Sequence, residues 1–125
     1  MRIIRIENEA DFDSTIKATV AEASGRVFVL LFGTEAPATG QSWCSDCVIA
    51  DPLIRKSIAK ISDAVLIEAP AGSRGAEYRS SKYHDHPDIK LMAVPTLIEW
   101  GKQGPLKRLV EEDCARQDLL DAFCQ

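Results

Sequence analysis

Apolar positions along the chain follow two rhythms, and the points where one gives way to the other mark out the elements. Arg2 to Glu7 alternates, with Ile4 and Ile6 pointing one way and Ile3 and Arg5 the other, which predicts a short strand. Asn8 suits a helix cap, with Asp11 three residues on as a capping-box-like partner. Phe12, Ile16 and Val20 then recur every four residues, the spacing of a helix with one buried face. Gly25 suits that helix's C-terminal position. Val27 to Phe32 is a continuous apolar run rich in strand formers. Such a run predicts a strand buried on both faces, at the centre of a sheet covered by helices on each side.

Gly33 ends that strand, and Thr34 to Ser42 reads as a loop. From Cys44 to Ile61 the period turns helical, with Val48, Ile49, Leu53 and Ile58 sharing an inward sector. Pro52 inside this helix removes a hydrogen bond and predicts a kink. Ala64 to Ala69 is another continuous strand. Pro70 to Asp88 has the weakest pattern: Gly72 and Gly75 break it, leaving room for a short helix over Glu77 to Tyr83. Ile89 to Trp100 carries a further strand opened by Val94-Pro95-Thr96, and proline is tolerated at a strand's first residue. Gly101 to Pro105 is a turn that sends Leu106 to Val110 back antiparallel. Glu111, Glu112 and Asp113 favour the positive start of a last helix, whose buried stripe is Ala115, Leu119, Ala122 and Phe123. The order β-α-β-α-β-(α)-β-β-α predicts an α/β fold over residues 1–125 as a single domain. Its core would be a mixed five-stranded sheet flanked by helices on both faces.

Composition narrows the function classes by exclusion. The chain has 125 residues, 46% of them hydrophobic and 27% charged, which is ordinary for a globular protein. Lys and Arg total 15 against 19 Asp and Glu, a net charge of −4 with no basic block or stripe, which argues against nucleic acid. The longest apolar run, Val27 to Phe32, is far too short to span a bilayer. The N-terminal stretch holds Glu7, Glu9 and Asp11 and no apolar signal segment. The expectation is a cytoplasmic protein with reduced thiols, in which a Cys-x-x-Cys is metal-binding or catalytic rather than a structural staple.

Trp43-Cys44-Ser45-Asp46-Cys47 supplies that pair just where the strand-like run gives way to the helix-like one. Residues three apart lie on one face of a helix. A helix start offers a partial positive charge and free N–H groups, which favour a thiolate. Half of a zinc site looks the same, so the other candidate ligands matter: Cys114, Cys124, His84 and His86. Cys114 and Cys124 fall on one predicted helix, roughly 15 Å apart along its axis, too far to complete a site together with Cys44 and Cys47. His84 and His86 make a His-x-His, which more often marks solvated loop histidines than a metal site. With Trp43, Pro52 and Val94-Pro95 also in place, redox chemistry ranks first. A redox-sensitive binding module with little turnover, and a metal or iron–sulfur site at a dimer interface, stand behind it.

Several features together resemble thioredoxin over about Ile3 to Phe123. They are the element order, Trp-Cys-x-x-Cys at the second helix, Pro52 after the second cysteine, and Val94-Pro95-Thr96 before a late strand. Within that superfamily, Ser42-Trp43-Cys44-x-Asp46-Cys47-Val48 behind a long loop is similar to the fourteen-kilodalton thioredoxin-related branch, the thioredoxin domain-containing protein seventeen or Clot family. That family usually carries Trp-Cys-Pro-Asp-Cys, and here Ser45 replaces the proline. It also tends to carry a cysteine early in the last helix, and Cys114 fits.

The resemblance implies a thioredoxin fold and a cytoplasmic disulfide reductase. Cys44, exposed at the helix start, would attack, and Cys47, more buried, would resolve. Pro95 would be a cis-proline facing the pair, Val94 would offer backbone hydrogen bonds to substrate, and Trp43 and Ser45 would complete the substrate-facing surface. No cofactor would be bound. Electrons would come from NADPH through a thioredoxin reductase-like donor and pass to client proteins or cystine-like small disulfides. The protein would act as a monomer in redox homeostasis and peroxide detoxification. Thioredoxin also keeps a buried aspartate beneath its disulfide, whereas this chain aligns Leu30 there, or Leu31 if the register slips. Asp46 is the only carboxylate within the motif. Its N–H would sit near the Cys44 sulfur, and its side chain either takes the Cys47 proton or simply points to water.

Overall fold

The computed structural model describes residues 1–125. Five strands, β1 (Arg2–Arg5), β2 (Val27–Phe32), β3 (Val65–Pro70), β4 (Thr96–Gly101) and β5 (Gly104–Val110), form one sheet in the order β1-β3-β2-β4-β5. β1, β3 and β2 run parallel, and β4 and β5 are antiparallel to their neighbours. The helices are α1 (Phe12–Glu22), α2 (Ser45–Ala59), α3 (Ala76–Arg79) and α4 (Gln117–Cys124). No helix is long and apolar enough to cross a membrane.

All six residues of β2 are buried, as a central strand covered on both faces requires. Phe28 stands beside Glu99 and Leu30 beside both Glu68 and Leu97, so these side chains share one face. Phe28 meets Phe123 of α4 there, with ring centres 6.0 Å apart. The alternate positions face α1, whose Phe12 sits edge-on to Tyr83 and Trp100, both at 5.5 Å. A single core of buried apolar side chains results, and the five-stranded α/β sandwich read from the pattern is the one observed.

Several local expectations change. Asn8 does cap, accepting from the Ala10 N–H at 2.9 Å, but it caps a 3-10 turn (Glu9–Asp11) that feeds α1, and Asp11 makes no capping bond. Gly25 is not a helix C-cap: α1 ends at Glu22, and a β-carbon on Gly25 would lie 2.4 Å from the Asp63 carbonyl oxygen. Its smallness lets two chain segments touch. The inward face of α2 is Cys47, Ala50, Ile54, Ser57 and Ile58, while Val48 and Ile49 are exposed. The helix begins with the sulfurs turned inward, and that sets its phase. The last helix is broken: Glu111–Ala115 is 3-10, Arg116 is extended, and α4 starts at Gln117. Cys114 and Cys124 are therefore on separate elements. Only Leu120 and Phe123 of α4 are buried, with Leu119 half-buried and Ala122 exposed. Ile89 to Ala93 is irregular, and β4 starts only at Thr96.

Candidate active site

Cys44 is the N-cap of α2, with extended backbone and a side chain that accepts the Cys47 N–H at 3.3 Å. This is the bond an N-cap makes to the third helical residue. The donor at the Cys44 sulfur is thus the Cys47 amide rather than the expected Asp46 amide. The Cys44 N–H donates to Ser42 Oγ at 3.1 Å, and its thiol donates to the Val94 carbonyl at 3.6 Å. These contacts leave Cys44 only 9% exposed and Cys47 3%, so the Cys44 sulfur is more enclosed than the exposed position expected at a helix start. Both are free thiols. The Val94–Pro95 peptide is cis.

The Cys47 thiol is pushed far above its ordinary range, first by burial and then by its hydrogen bond with Cys44. The Gly33 N–H and the Ser42 hydroxyl act the other way, favouring the ionised sulfur. Cys47, Leu30 and Pro95 open onto one cavity of about 360 Å³, whose wall also includes Ser42, Asp51 and Arg55. Leu30, one of the two leucines expected beneath the motif, shares this cavity with Cys47 and offers it no proton acceptor.

Trp43 is half-buried and held: its indole N–H donates to the Gly72 carbonyl at 2.9 Å, and Tyr78 packs edge-on at 5.3 Å. A β-carbon on Gly33 would come within 2.5 Å of the indole, so the strand's last turn must be glycine for Trp43 to seat. Tyr78 is raised above its ordinary range by burial and by the nearby sulfurs of Cys44 and Cys47, which marks it as part of the same neighbourhood. Ser45 occupies the first helical position, where a proline would cost nothing. Ser45 and Asp46 are both exposed on the outer side of α2.

Pro52 lies mid-helix on the cavity wall and leaves the Val48 carbonyl without its helical donor. Cys114 is fully buried behind the cis peptide, its thiol donating to the Leu109 carbonyl at 3.3 Å and contacting Pro95 O at 3.6 Å. Burial pushes it up to about 12. His84 and His86 are half-buried and bonded rather than free in a loop. His84 bonds the Leu91 and Tyr78 carbonyls at 2.8 and 2.9 Å, and His86 bonds Asp13 at 2.6 Å. No group of three or more His, Cys, Asp or Glu side chains is arranged to hold a metal ion.

A family model described as "Thioredoxin domain-containing protein 17-like, thioredoxin domain" matches residues 5–125. The chain belongs to that family. It is 33% identical over 114 residues to thioredoxin domain-containing protein 17 of Epinephelus coioides, covering 90% of this chain and 89% of that protein. It is 35% identical over 119 residues to the thioredoxin-like protein Clot of Arabidopsis thaliana, covering 90% and 88%. Among solved structures, thioredoxin NaTrxh from Nicotiana alata superposes with a TM-score of 0.67 at 17% identity, over 98% of this chain and 89% of that one. The thioredoxin fold is common to both, and the cysteine pair of this family member sits at the start of α2 beside the cis peptide. The motif gave away Cys44, Cys47, Val94 and Pro95. Ser42 belongs to that motif, though its bond to the Cys44 N–H could not be read from it, and nothing in the motif pointed to Tyr78, Asp51 or Arg55, which tertiary packing brings into the surroundings of the pair.

Proposed function

We propose that this protein is a cytoplasmic thiol–disulfide reductase that uses Cys44 as attacking and Cys47 as resolving sulfur. The observation that supports this most is the asymmetry of the pair. Cys44 holds an N–H donor on its sulfur beside the Val94 carbonyl, while Cys47 is buried one turn in with its proton held tightly. An N–H donor remains useful once the sulfur is a thiolate. The Cys44 thiolate attacks a client disulfide, a Cys44–client bond forms, and the first client sulfur leaves with the electron pair. Cys47 then attacks the Cys44 sulfur, the client's second sulfur leaves, and Cys44–Cys47 is oxidised. Two electrons have passed to the client. A thioredoxin reductase-like donor fed by NADPH returns them by the same exchange, with no cofactor bound to this chain.

Val94 supplies backbone hydrogen-bonding groups for an extended client. Met92, 89% exposed two residues earlier, adds an apolar shoulder beside them. Trp43 and Ser45 border the same surface. The clients are disulfide-bearing proteins or small disulfides of the cystine type, met by a monomer.

A coupled assay tests this. With a thioredoxin reductase and NADPH, the unmodified protein should turn over insulin or a small aromatic disulfide continuously, and Cys44→Ser should abolish turnover. Cys47→Ser should stall after one exchange with a client covalently held on Cys44. A Cys47→Ser protein that traps nothing under oxidant removes the reading. A single exchange by unmodified protein without repeated NADPH use would favour a redox-sensitive binding module instead.

A further inference from the structure

Resolution of the mixed disulfide poses a proton problem. Cys47 attacks only as a thiolate, and its burial holds the proton on. The proton must leave into whatever the sulfur faces, and that is the cavity beneath Pro95. Leu30 on its wall cannot take a proton. Ser42 can steady the thiolate, since its oxygen already accepts from the Cys44 N–H and its own O–H is free for sulfur. It is no base.

Two carboxylates reach the cavity, Glu35 and Asp51. Glu35 is gripped by both terminal nitrogens of Arg5 at 2.7 and 3.0 Å, which holds its carboxyl below the usual range. That makes it a poor acceptor. Asp51 stands four residues after Cys47, one turn along the same side of α2. Its side chain is 43% exposed, so a proton arriving from inside can continue to bulk water. Both Asp51 oxygens lie 3.0 Å from Arg55 Nε, and Arg55 is shared with Glu68 at 2.6 Å. Glu68 touches Arg5 at 3.4 Å, and Arg5 also bonds Glu7 at 2.7 Å. The connected set therefore holds four carboxylates (Glu7, Glu35, Asp51, Glu68) against two guanidiniums (Arg5, Arg55), a surplus of two negative charges. A proton added to it lowers mutual repulsion. Asp46 is exposed and lines no part of this cavity.

We propose that Asp51, through water in the cavity it shares with Cys47, accepts the proton that Cys47 gives up as it resolves the mixed disulfide. A cavity of about 360 Å³, polar along the side formed by Gln41, Ser42, Asp51 and Arg55, has room for several waters. The step balances. The Cys47 proton passes to water while water protonates Asp51. The thiolate attacks the Cys44 sulfur, the Cys44–client bond breaks, the client sulfur leaves with the electron pair and takes a proton from solvent, and Asp51 returns its proton to bulk. Asp51 acts as a positioning and relay residue, since it touches neither sulfur.

The proposal rests on the reductase reading, and one experiment separates the two. Reduced protein is mixed with an aromatic disulfide that releases one coloured thiolate at the first attack and a second at resolution. In Asp51→Asn the first release should keep its rate, which also shows that the fold is intact, and the second should slow on the order of tenfold or more. That slow phase should climb about tenfold per pH unit as hydroxide takes over the acceptor's task, and Asp51→Glu should restore it. A second release at the unmodified rate in Asp51→Asn overturns the proposal. So does an Asp51→Glu protein as slow as Asp51→Asn, since packing would then be the cause. An unmodified protein with no first release would sink the reductase reading itself.

Discussion

Two arginine–carboxylate systems flank the central strand, one built on β4 and the other on β3, and they are wired differently. On β4, Glu99 takes a forked contact from Arg26 at 2.8 and 3.0 Å. Arg26 spends its remaining donors on the Phe123 and Cys124 carbonyls at the end of α4, and Lys107 stands 3.7 Å from the same carboxylate. One buried acid faces two cations, and the Glu99 side chain is only 10% exposed. On β3, Glu68 belongs to a chain of contacts with more acids than bases, and that chain ends at a half-open cavity beside a thiol. Both systems are guanidinium–carboxylate pairs on one face of one sheet. Charge balance and access to water decide that the first ties α4 to the sheet while the second can take up a proton.

The largest effect expected from this contrast falls on the closed system. Arg26→Leu leaves Glu99 buried with Lys107 alone at 3.7 Å and should cost about 3 kcal/mol of stability. Urea unfolding measures it, and disulfide exchange per folded molecule should not change. A cost below about 1 kcal/mol would mean that Lys107 alone satisfies Glu99.

The next test uses acid. Arg26, through its hydrogen bonds, holds the Glu99 carboxyl below its ordinary value of 4.5. A depressed carboxyl contributes stability above its unfolded value and loses it as pH falls through the folded one. The stability gap between unmodified protein and Glu99→Gln should therefore be widest near neutrality and close as pH drops below about 4.5. Thermal unfolding across that range checks it, and a gap independent of pH would show that the pair is not what stabilises. Glu35 is depressed by Arg5 in both proteins and shifts both curves alike.

The smallest effect belongs to Asp46→Asn. Its side chain is exposed and makes no hydrogen bond or ion pair, so stability should move by no more than about 0.5 kcal/mol. The same two-phase exchange assay should find its resolution step within about twofold of the unmodified rate. A slow Asp46→Asn beside a normal Asp51→Asn would return the proton to the motif and reduce the β3 system to a second structural tie.

Much of this was legible along the chain. Val27 to Phe32 could be placed at the sheet's centre because a strand covered on both faces has no polar alternation to confuse. The dithiol was legible because its spacing and its helix start are local. Val48 and Ile49 misled because apolar residues at a helix start carry no mark of which way the helix is turned. Here Cys44 and Cys47 set that rotation by pointing inward. His84 read as a loop histidine because its partners are backbone carbonyls, Tyr78 O and Leu91 O, and any residue supplies a carbonyl. The break at Arg116 was hidden because three acids followed by apolar residues suit one helix as well as two.

Hydrophobic period, turn residues and the three-residue spacing of the sulfurs act over a few neighbours, so the sequence alone determined the element order, the sheet's central strand and the seat of Cys44 and Cys47 at a helix start. That Leu30 rather than Leu31 lines the cavity beside Cys47 came from the fold. What surrounds the sulfurs was decided only by folding. The network beside Cys47 joins Arg5, Glu35, Asp51, Arg55 and Glu68, drawn from β1, a loop, α2 and β3, with up to 63 residues between contacting partners. Burial and Coulomb energy depend on distance through space. Whether an aspartate four residues past a cysteine faces water or shares a cavity with the thiol is therefore settled by tertiary packing.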